Sequence, residues 1–244
     1  RPPRSTLFPY TTLFRSVYLI LCAMKEEVAE IVKKGKTEKQ YSFFGNPFYM
    51  GKTGTKETVT GITGVGKVMA AMTTQKLIDF FSPEGIIFTG IAGAVNPGLG
   101  IGDIVIAKEC MQHDIDATSL GFKPGEIPYT GIRILESDPA LIEAARGFSS
   151  GDGKIIEGRV LTGDEFVTCV EKKGYLYSEL GGDAVEMEGA AAAFTAYMNN
   201  TPFMLARIIS DRADGNAASD FRGFLKKSSA VLAEMVFHML RNVA

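Results

Sequence analysis

A chain of 244 residues with 45% hydrophobic and 22% charged side chains has the balance of a folded globule, not of a disordered segment. Twenty-six basic against 28 acidic residues leave a formal charge of -2, without the basic excess that nucleic acid demands, and no apolar run is long enough to cross a bilayer. Three scattered cysteines, Cys22, Cys110 and Cys169, fit a reducing cytoplasm, and two histidines cannot build a histidine-rich metal site.

Residues 1–16 (RPPRSTLFPYTTLFRS) show neither helical nor strand periodicity and lack the apolar core of a signal peptide. They read as a non-native extension, similar to translated sequencing-adaptor DNA, which leaves 17–244 as one domain. VYLILCA (17–23) is an apolar run of strand length, and KEEVAEIVKK (25–34) has helical spacing of Val28, Ile31 and Val32. Lys33, Lys34, Lys36 and Lys39 read as the solvated end of that helix, with Gly35 as its cap. FYMGKTG (48–54) and KETVTGITG (56–64) read as paired strands joined by a glycine turn. VGKVMAAMTTQKLIDFF (65–81) is a helix stopped by Ser82-Pro83. GIIFTGIAGAV (85–95) and DIVIAKECM (103–111) are strands. DPALIEAARGF (138–148) is a helix with Asp138 as N-cap and Pro139 in its first position. KIIEGRVLTG (154–163) is a strand, DAVEMEG (183–189) a short one, and GAAAAFTAYMN (189–199) a helix. PFMLARIIS (202–210) is a strand, and the amphipathic helix FRGFLKKSSAVLAEMVFHML (221–240) follows. Strands alternating with helices predict an α/β fold on a mostly parallel or mixed sheet.

The run Gly61-Ile-Thr-Gly-Val-Gly66-Lys67 begins like a phosphate-binding loop of nucleoside triphosphatases. Val68 stands where such a loop needs a hydroxyl for Mg²⁺, so the glycines are better read as allowing close approach of a ligand at a strand-to-helix turn. His113, beside Asp114 and Asp116, lacks a third ligand cluster and reads as part of a polar loop. Three acids stand apart. Glu27 follows the first strand, Glu188 sits where a short strand meets an alanine-rich helix, and Asp211 ends a strand whose apolar run is interrupted only by Arg207. Ligands of open α/β sheets gather at the carboxyl ends of strands, where all three lie. By spacing alone Glu27 reads equally as an exposed first-turn glutamate, and Glu188 and Asp211 can be read as capping carboxylates.

Seven stretches, AMKEEV, TGVGKVMAA, TGIAGAVNPGLGIGDIVIA, HDIDATSLGFKPGEIP, LTGDEFV, AVEMEGAA and ARIISDRAD, run from the first strand onward. In their order the chain resembles the 5′-methylthioadenosine/S-adenosylhomocysteine nucleosidases of the purine nucleoside phosphorylase-like superfamily. The resemblance implies a three-layer α/β/α fold, its central mixed, twisted sheet flanked by helices. It implies hydrolysis of an N-ribosyl bond with release of adenine, needing no cofactor or metal. Asp211 is then the acid that protonates adenine N7, held by Ser210, and Glu27 activates the attacking water. Arg207 and Glu188 help to position that water. Glu188 also binds the ribose hydroxyls and stabilises the developing positive charge on the sugar, with Met187 against the ring. Phe166 stacks on adenine, the Val167 backbone reads its edge, and Gly93 lets the ligand approach. Ile91 departs from the pattern, because many relatives carry serine there.

The resemblance further implies a cytoplasmic homodimer in which Leu120, Phe122 and Pro128 line the partner subunit's pocket. Two other hydrolytic or phosphorolytic readings share the fold: a 6-amino-6-deoxyfutalosine hydrolase and a phosphate-dependent phosphorylase. A phosphorylase needs cationic phosphate ligands, and the loops AMKEEV, GITGVGKV and TGIAGAV hold no arginine. A non-catalytic nucleoside-binding module has no need of Glu27, Glu188 and Asp211 together.

Overall fold

The computed structural model describes residues 17–151, 153–211 and 221–243; the segment 1–16 lies outside them. The first half of the chain supplies β1 (Val17–Cys22), α1 (Lys25–Lys34), β2 (Lys36–Phe43), β3 (Asn46–Thr53), β4 (Lys56–Ile62), α2 (Lys67–Phe81), β5 (Gly85–Ala94) and β6 (Ile104–Gln112). The second half supplies β7 (Leu135–Glu136), α3 (Pro139–Ala145), β8 (Ile155–Thr162), α4 (Val170–Ser178), β9 (Ala184–Glu186), α5 (Gly189–Met198), β10 (Phe203–Asp211) and α6 (Phe221–Asn242).

β1 is apolar at nearly every position because it is buried on both faces, between parallel β4 and β5. Its alternate side chains feed two separate cores. Val17, Leu19 and Leu21 join Leu77 and Phe81 of α2 and Ala190 and Ala193 of α5. Tyr18, Ile20 and Cys22 join Ile31 of α1, Leu141 of α3 and Leu232 of α6. Helices therefore cover both faces of a mixed sheet, the three-layer α/β/α arrangement expected from the resemblance. Each fully buried Leu, Ile or Phe contributes about 1.5–3 kcal/mol relative to exposure.

The strands run in the order β10-β6-β8-β9-β5-β1-β4-β3-β2, with β7 paired to β6. β10 also pairs with β5 in parallel, so β5, β10, β6, β8 and β9 close into a ring while β1 to β4 extend it as an open wing. The antiparallel steps are β10–β6, β5–β9, β6–β7 and the β4–β3–β2 meander.

Three features differ from the periodicity. Lys36 and Lys39 belong to strand β2, not to a helix end, and Gly35 leaves α1 with extended backbone instead of a left-handed cap. β2 is an exposed edge strand, so its sequence KTEKQYSF lacks a buried face to mark it. α4 escaped the pattern because it is short, carries Gly174 and buries only Leu176. The helix over 138–148 ends at Ala145, where Gly147 turns the chain at φ 77. Its N-terminus is as read: the Asp138 side chain accepts from the backbone N–H of Ala140 and Leu141 at 2.9 and 3.1 Å.

Within the wing, β4 passes directly over the fully buried Phe48 ring of β3. A side chain at Gly61 would begin 2.2 Å from Phe48 Cδ1. Gly61→Ala is expected to destabilise the protein by about 1–3 kcal/mol through overpacking. Adding Phe48→Leu should recover part of that loss, and urea unfolding of the three variants checks both effects. Parental stability of Gly61→Ala would show that the contact is slack.

Candidate active site

The carboxyl ends of β1, β5 and β10 converge on a cavity of about 240 Å³. Its wall draws Met24 and Glu27 from the β1–α1 junction, Ile91, Ala92 and Gly93 from β5, and Phe166 and Val167 from the segment after β8. Glu186, Met187 and Glu188 line it from the end of β9, and Ser210 and Asp211 from the end of β10. Most of this lining is apolar, so the few carboxylates meet a poorly solvated space.

Glu27 occupies the first turn of α1, yet it points inward and is only 3% exposed. Its Oε2 accepts the Met24 N–H and its Oε1 the Ile91 N–H, each at 2.9 Å. Burial raises its pKa, against the opposing Arg207 charge and these backbone donors. The exposed first-turn alternative is thereby excluded. Gly90 makes the arrangement possible: a Cβ there would lie 2.6 Å from Glu27 Oε1 and 2.8 Å from Arg207 Nη1.

Asp211 reaches the cavity through a register shift in the β10–β5 pairing. The shift falls between Ile209 and Asp211, and Asp211 ends opposite Gly93. In a regular strand Ser210 and Asp211 would face opposite sides; the irregularity lets both line one cavity. The Ser210 hydroxyl donates to Asp211 Oδ2 at 2.7 Å.

The sequence reading passed over Glu186. It forms the buried ion pair with Arg207, 2.6 Å from Nη2, whereas Glu188 stands 4.0 Å from the same nitrogen. Glu186 also accepts the Gly189 N–H at 2.8 Å, the Glu188 N–H at 3.1 Å and the Thr162 hydroxyl. It is therefore the cap of α5, and the Glu188 side chain makes no capping bond. A signal was present. The helix GAAAAF begins with no Ser, Thr, Asp or Asn before it, so its first N–H groups need acceptors from elsewhere, and Glu186 and the Thr162 hydroxyl supply them. Glu188 instead accepts the Gly66 N–H at 2.8 Å, which ties the glycine turn before α2 to the cavity. Burial, reinforced by the Glu186 charge, pushes its pKa up to about 8 against the pull of Arg207 and Gly66.

Arg207 lies behind the cavity wall, 1% exposed, with its guanidinium 4.9 Å from the Phe88 ring centroid. Phe166 is 62% exposed at the mouth, and Val167 is buried beneath it. Leu120, Phe122 and Pro128 do not line this chain's cavity. Leu120 is 68% exposed, and Phe122 packs edge-on against the exposed Tyr129 ring at 5.3 Å. Lys67 is engaged away from any phosphate: its Nζ meets Asp114 at 2.7 Å and its N–H meets Asp164 at 2.7 Å. His113 lies in the turn after β6, as read, with its ring buried and packed against Gly163, and burial lowers its pKa. Among the described residues no cluster of His, Cys, Asp and Glu could hold a metal ion.

A family model described as the phosphorylase superfamily matches residues 17–241. Over 218 residues the chain is 34% identical to a 5′-methylthioadenosine/S-adenosylhomocysteine nucleosidase of Staphylococcus aureus, covering 89% of this chain and 96% of that protein. This chain belongs to the nucleosidase family of the phosphorylase superfamily. A nucleosidase of the same name from Neisseria meningitidis, crystallised with methylthio-immucillin-A, superposes with a TM-score of 0.87 at 33% identity, covering 93% of this chain and 99% of that one. A futalosine hydrolase of Helicobacter pylori superposes with a TM-score of 0.84 at 32% identity, covering 93% and 97%.

The protonation of Glu188 carries a stability signature within this nucleosidase fold. Its carboxyl moves from an ordinary value of 4.5 to about 8, so the folded chain keeps a proton that the unfolded chain releases. That contribution to stability is complete below 4.5 and is lost as pH rises through about 8. Glu188→Gln cannot ionise, so it is expected to melt higher than the parent above about pH 8 and close to it near pH 4.5. Paired thermal melts check this; a difference independent of pH would show that Glu188 charge is not the cause.

Proposed function

We propose that this protein hydrolyses the N-ribosyl bond of 5′-methylthioadenosine and S-adenosylhomocysteine, releasing adenine and the 5-thioribose product. The observation that carries this reading is the pairing, across one apolar cavity, of Asp211 on an irregular strand end with the buried Glu27. Asp211 delivers a proton to adenine N7, which makes the base a better leaving group, and Ser210 orients it. Glu27, with its raised proton affinity, takes a proton from the attacking water. Glu188 and Met187 hold the ribose, Phe166 and Val167 the adenine, and Gly93 leaves room beside the base. Ile91 replaces a hydroxyl with an apolar side chain, yet its backbone N–H still orients Glu27, so the water-activating group does not depend on the missing serine.

Water is the nucleophile in this reading because no arginine or lysine lines the cavity among the described residues. Phosphate would require such donors. The futalosine hydrolase likeness keeps a second substrate in view, since adenine and ribose would be held alike. Adenine release from methylthioadenosine, S-adenosylhomocysteine and 6-amino-6-deoxyfutalosine, each with and without phosphate, tests the choice. Turnover of the first two without phosphate is expected, and strict phosphate dependence would overturn the hydrolytic reading. Asp211→Asn is expected to abolish turnover while keeping the fold. Glu27→Gln should lower kcat by about 10²-fold or more, the usual scale of general base catalysis. Steady-state kinetics with circular dichroism separates lost chemistry from lost structure.

The same reading makes the protein a cytoplasmic homodimer, and no described helix is long and apolar enough to cross a membrane. Leu120 and Tyr129 stand exposed on the loop between β6 and β7, an arrangement that a second copy would cover. Leu120, Phe122 and Pro128 would then close the partner's cavity over the alkylthio group. Leu120→Asp is expected to shift the protein toward monomer and to raise KM for methylthioadenosine by about tenfold, equivalent to about 1.4 kcal/mol. Light scattering beside kinetics checks both, and a fully active monomer would refute the shared pocket.

A further inference from the structure

Four ionisable groups meet beneath the cavity: Glu27 on α1, Glu186 at the end of β9, Glu188 before α5 and Arg207 on β10. Three carboxylates around one guanidinium cannot all be charged at low cost, because the cation neutralises only one of them. Geometry decides which. Glu186 takes the Arg207 Nη2–H at 2.6 Å, two backbone N–H groups at the start of α5 and the Thr162 hydroxyl, so both of its oxygens are occupied by donors. Glu188 is 4.0 Å from that nitrogen, and Glu27 accepts backbone N–H groups in place of the guanidinium. Gly189 secures the arrangement, since a Cβ there would meet Leu205 at 2.5 Å and Glu186 Oε1 at 3.2 Å.

We propose that Glu186 is a positioning residue for the nucleosidase reaction: by engaging the buried cation and the N-terminus of α5, it keeps Arg207 from claiming Glu27 and Glu188. The proposal rests on the hydrolytic reading above. A general base accepts a proton most effectively when its pKa lies near the working pH, and a cation within about 4–6 Å lowers a carboxylate by about 1–3 pKa units. Glu186 shields Glu27 from that loss. The other ionisable groups around Arg207 and Glu186 do not supply the charge. The Cys22 thiol of β1 is pushed up to about 12 and the Cys110 thiol of β6 higher still, both by burial. Glu109 of β6 is paired with Arg159 at 2.6 Å.

The test is Glu186→Gln, read in two ways. In the free protein, carboxyl ¹³C titration of labelled glutamate is expected to place the Glu188 midpoint, identified by its loss in Glu188→Gln, lower than in the parent by about one unit or more. With methylthioadenosine, the ascending limb of kcat/KM should move to lower pH, kcat should fall by about tenfold or more, and KM should change little. Glu186→Asp, which keeps the charge, should leave the limb in place. A variant that melts earlier but titrates like the parent would reduce Glu186 to a helix cap and overturn the proposal. If Glu186→Gln fails to fold, the double variant Glu186→Gln/Arg207→Met removes both charges together. Its Glu188 midpoint is expected to return to the parental position, and a displaced midpoint would count against the proposal. Absence of adenine release by the parent would refute the hydrolytic reading instead, and the titration of the free protein still decides the charge assignment.

Discussion

A guanidinium sealed from solvent is the constraint around which this site is arranged. Arg207 interrupts an otherwise apolar strand, and its charge is held by the ion pair with Glu186 and by the Phe88 ring face. Burial alone works against its protonation, and the charges of Glu186, Glu27 and Glu188 outweigh that effect. A buried pair of this kind contributes little net stability, because desolvation of both ions offsets their attraction. Its consequence lies in the neighbours. With the cation committed to Glu186, burial raises the proton affinity of Glu27 and Glu188 on the cavity wall.

Backbone irregularity and small residues then decide what faces the cavity. Gly90 leaves the space that Glu27 and Arg207 fill, and Gly189 lets α5 begin against Leu205 and Glu186. The register shift at the end of β10 brings Ser210 and Asp211 to the same side. Each of these features is stabilised by the surrounding sheet: β5 pairs with β10 from Ile86 to Gly93 and with β1 from Gly85 to Phe88, and β10 is held between β5 and β6. Strands thus carry Asp211 and the Ile91 donor to Glu27, while Phe166 and Val167 reach the cavity from the segment after β8. That segment is fastened by Asp164, which accepts the Lys67 N–H and donates its own N–H to Asp114.

Much of this was legible in the sequence. The strand–helix alternation, the Asp138 cap and the Ser82-Pro83 stop are local signals, set by periodicity and by side chains acting on their own backbone. The placement of Glu27, Glu188 and Asp211 at strand ends followed from the same local reading. β2 and α4 were missed for an equally local reason: an exposed edge strand and a short helix with one buried side chain have no apolar period to read. Glu186 was missed because a carboxylate within VEME looks the same whether it faces solvent, a helix end or a cation.

The sequence by itself therefore determined the strands and helices that carry a buried apolar face, and which acids stand at strand carboxyl ends. Only the tertiary structure decided how Arg207 divides its attraction, which glutamate caps α5, that Glu27 turns inward and that Asp211 shares a face with Ser210. The physical reason is range. Periodicity and capping act over a few residues, whereas the partners in this site are separated by 21 residues for Arg207 and Glu186, 64 for Glu27 and Ile91, and 122 for Glu188 and Gly66. Those partners meet only once the sheet has closed.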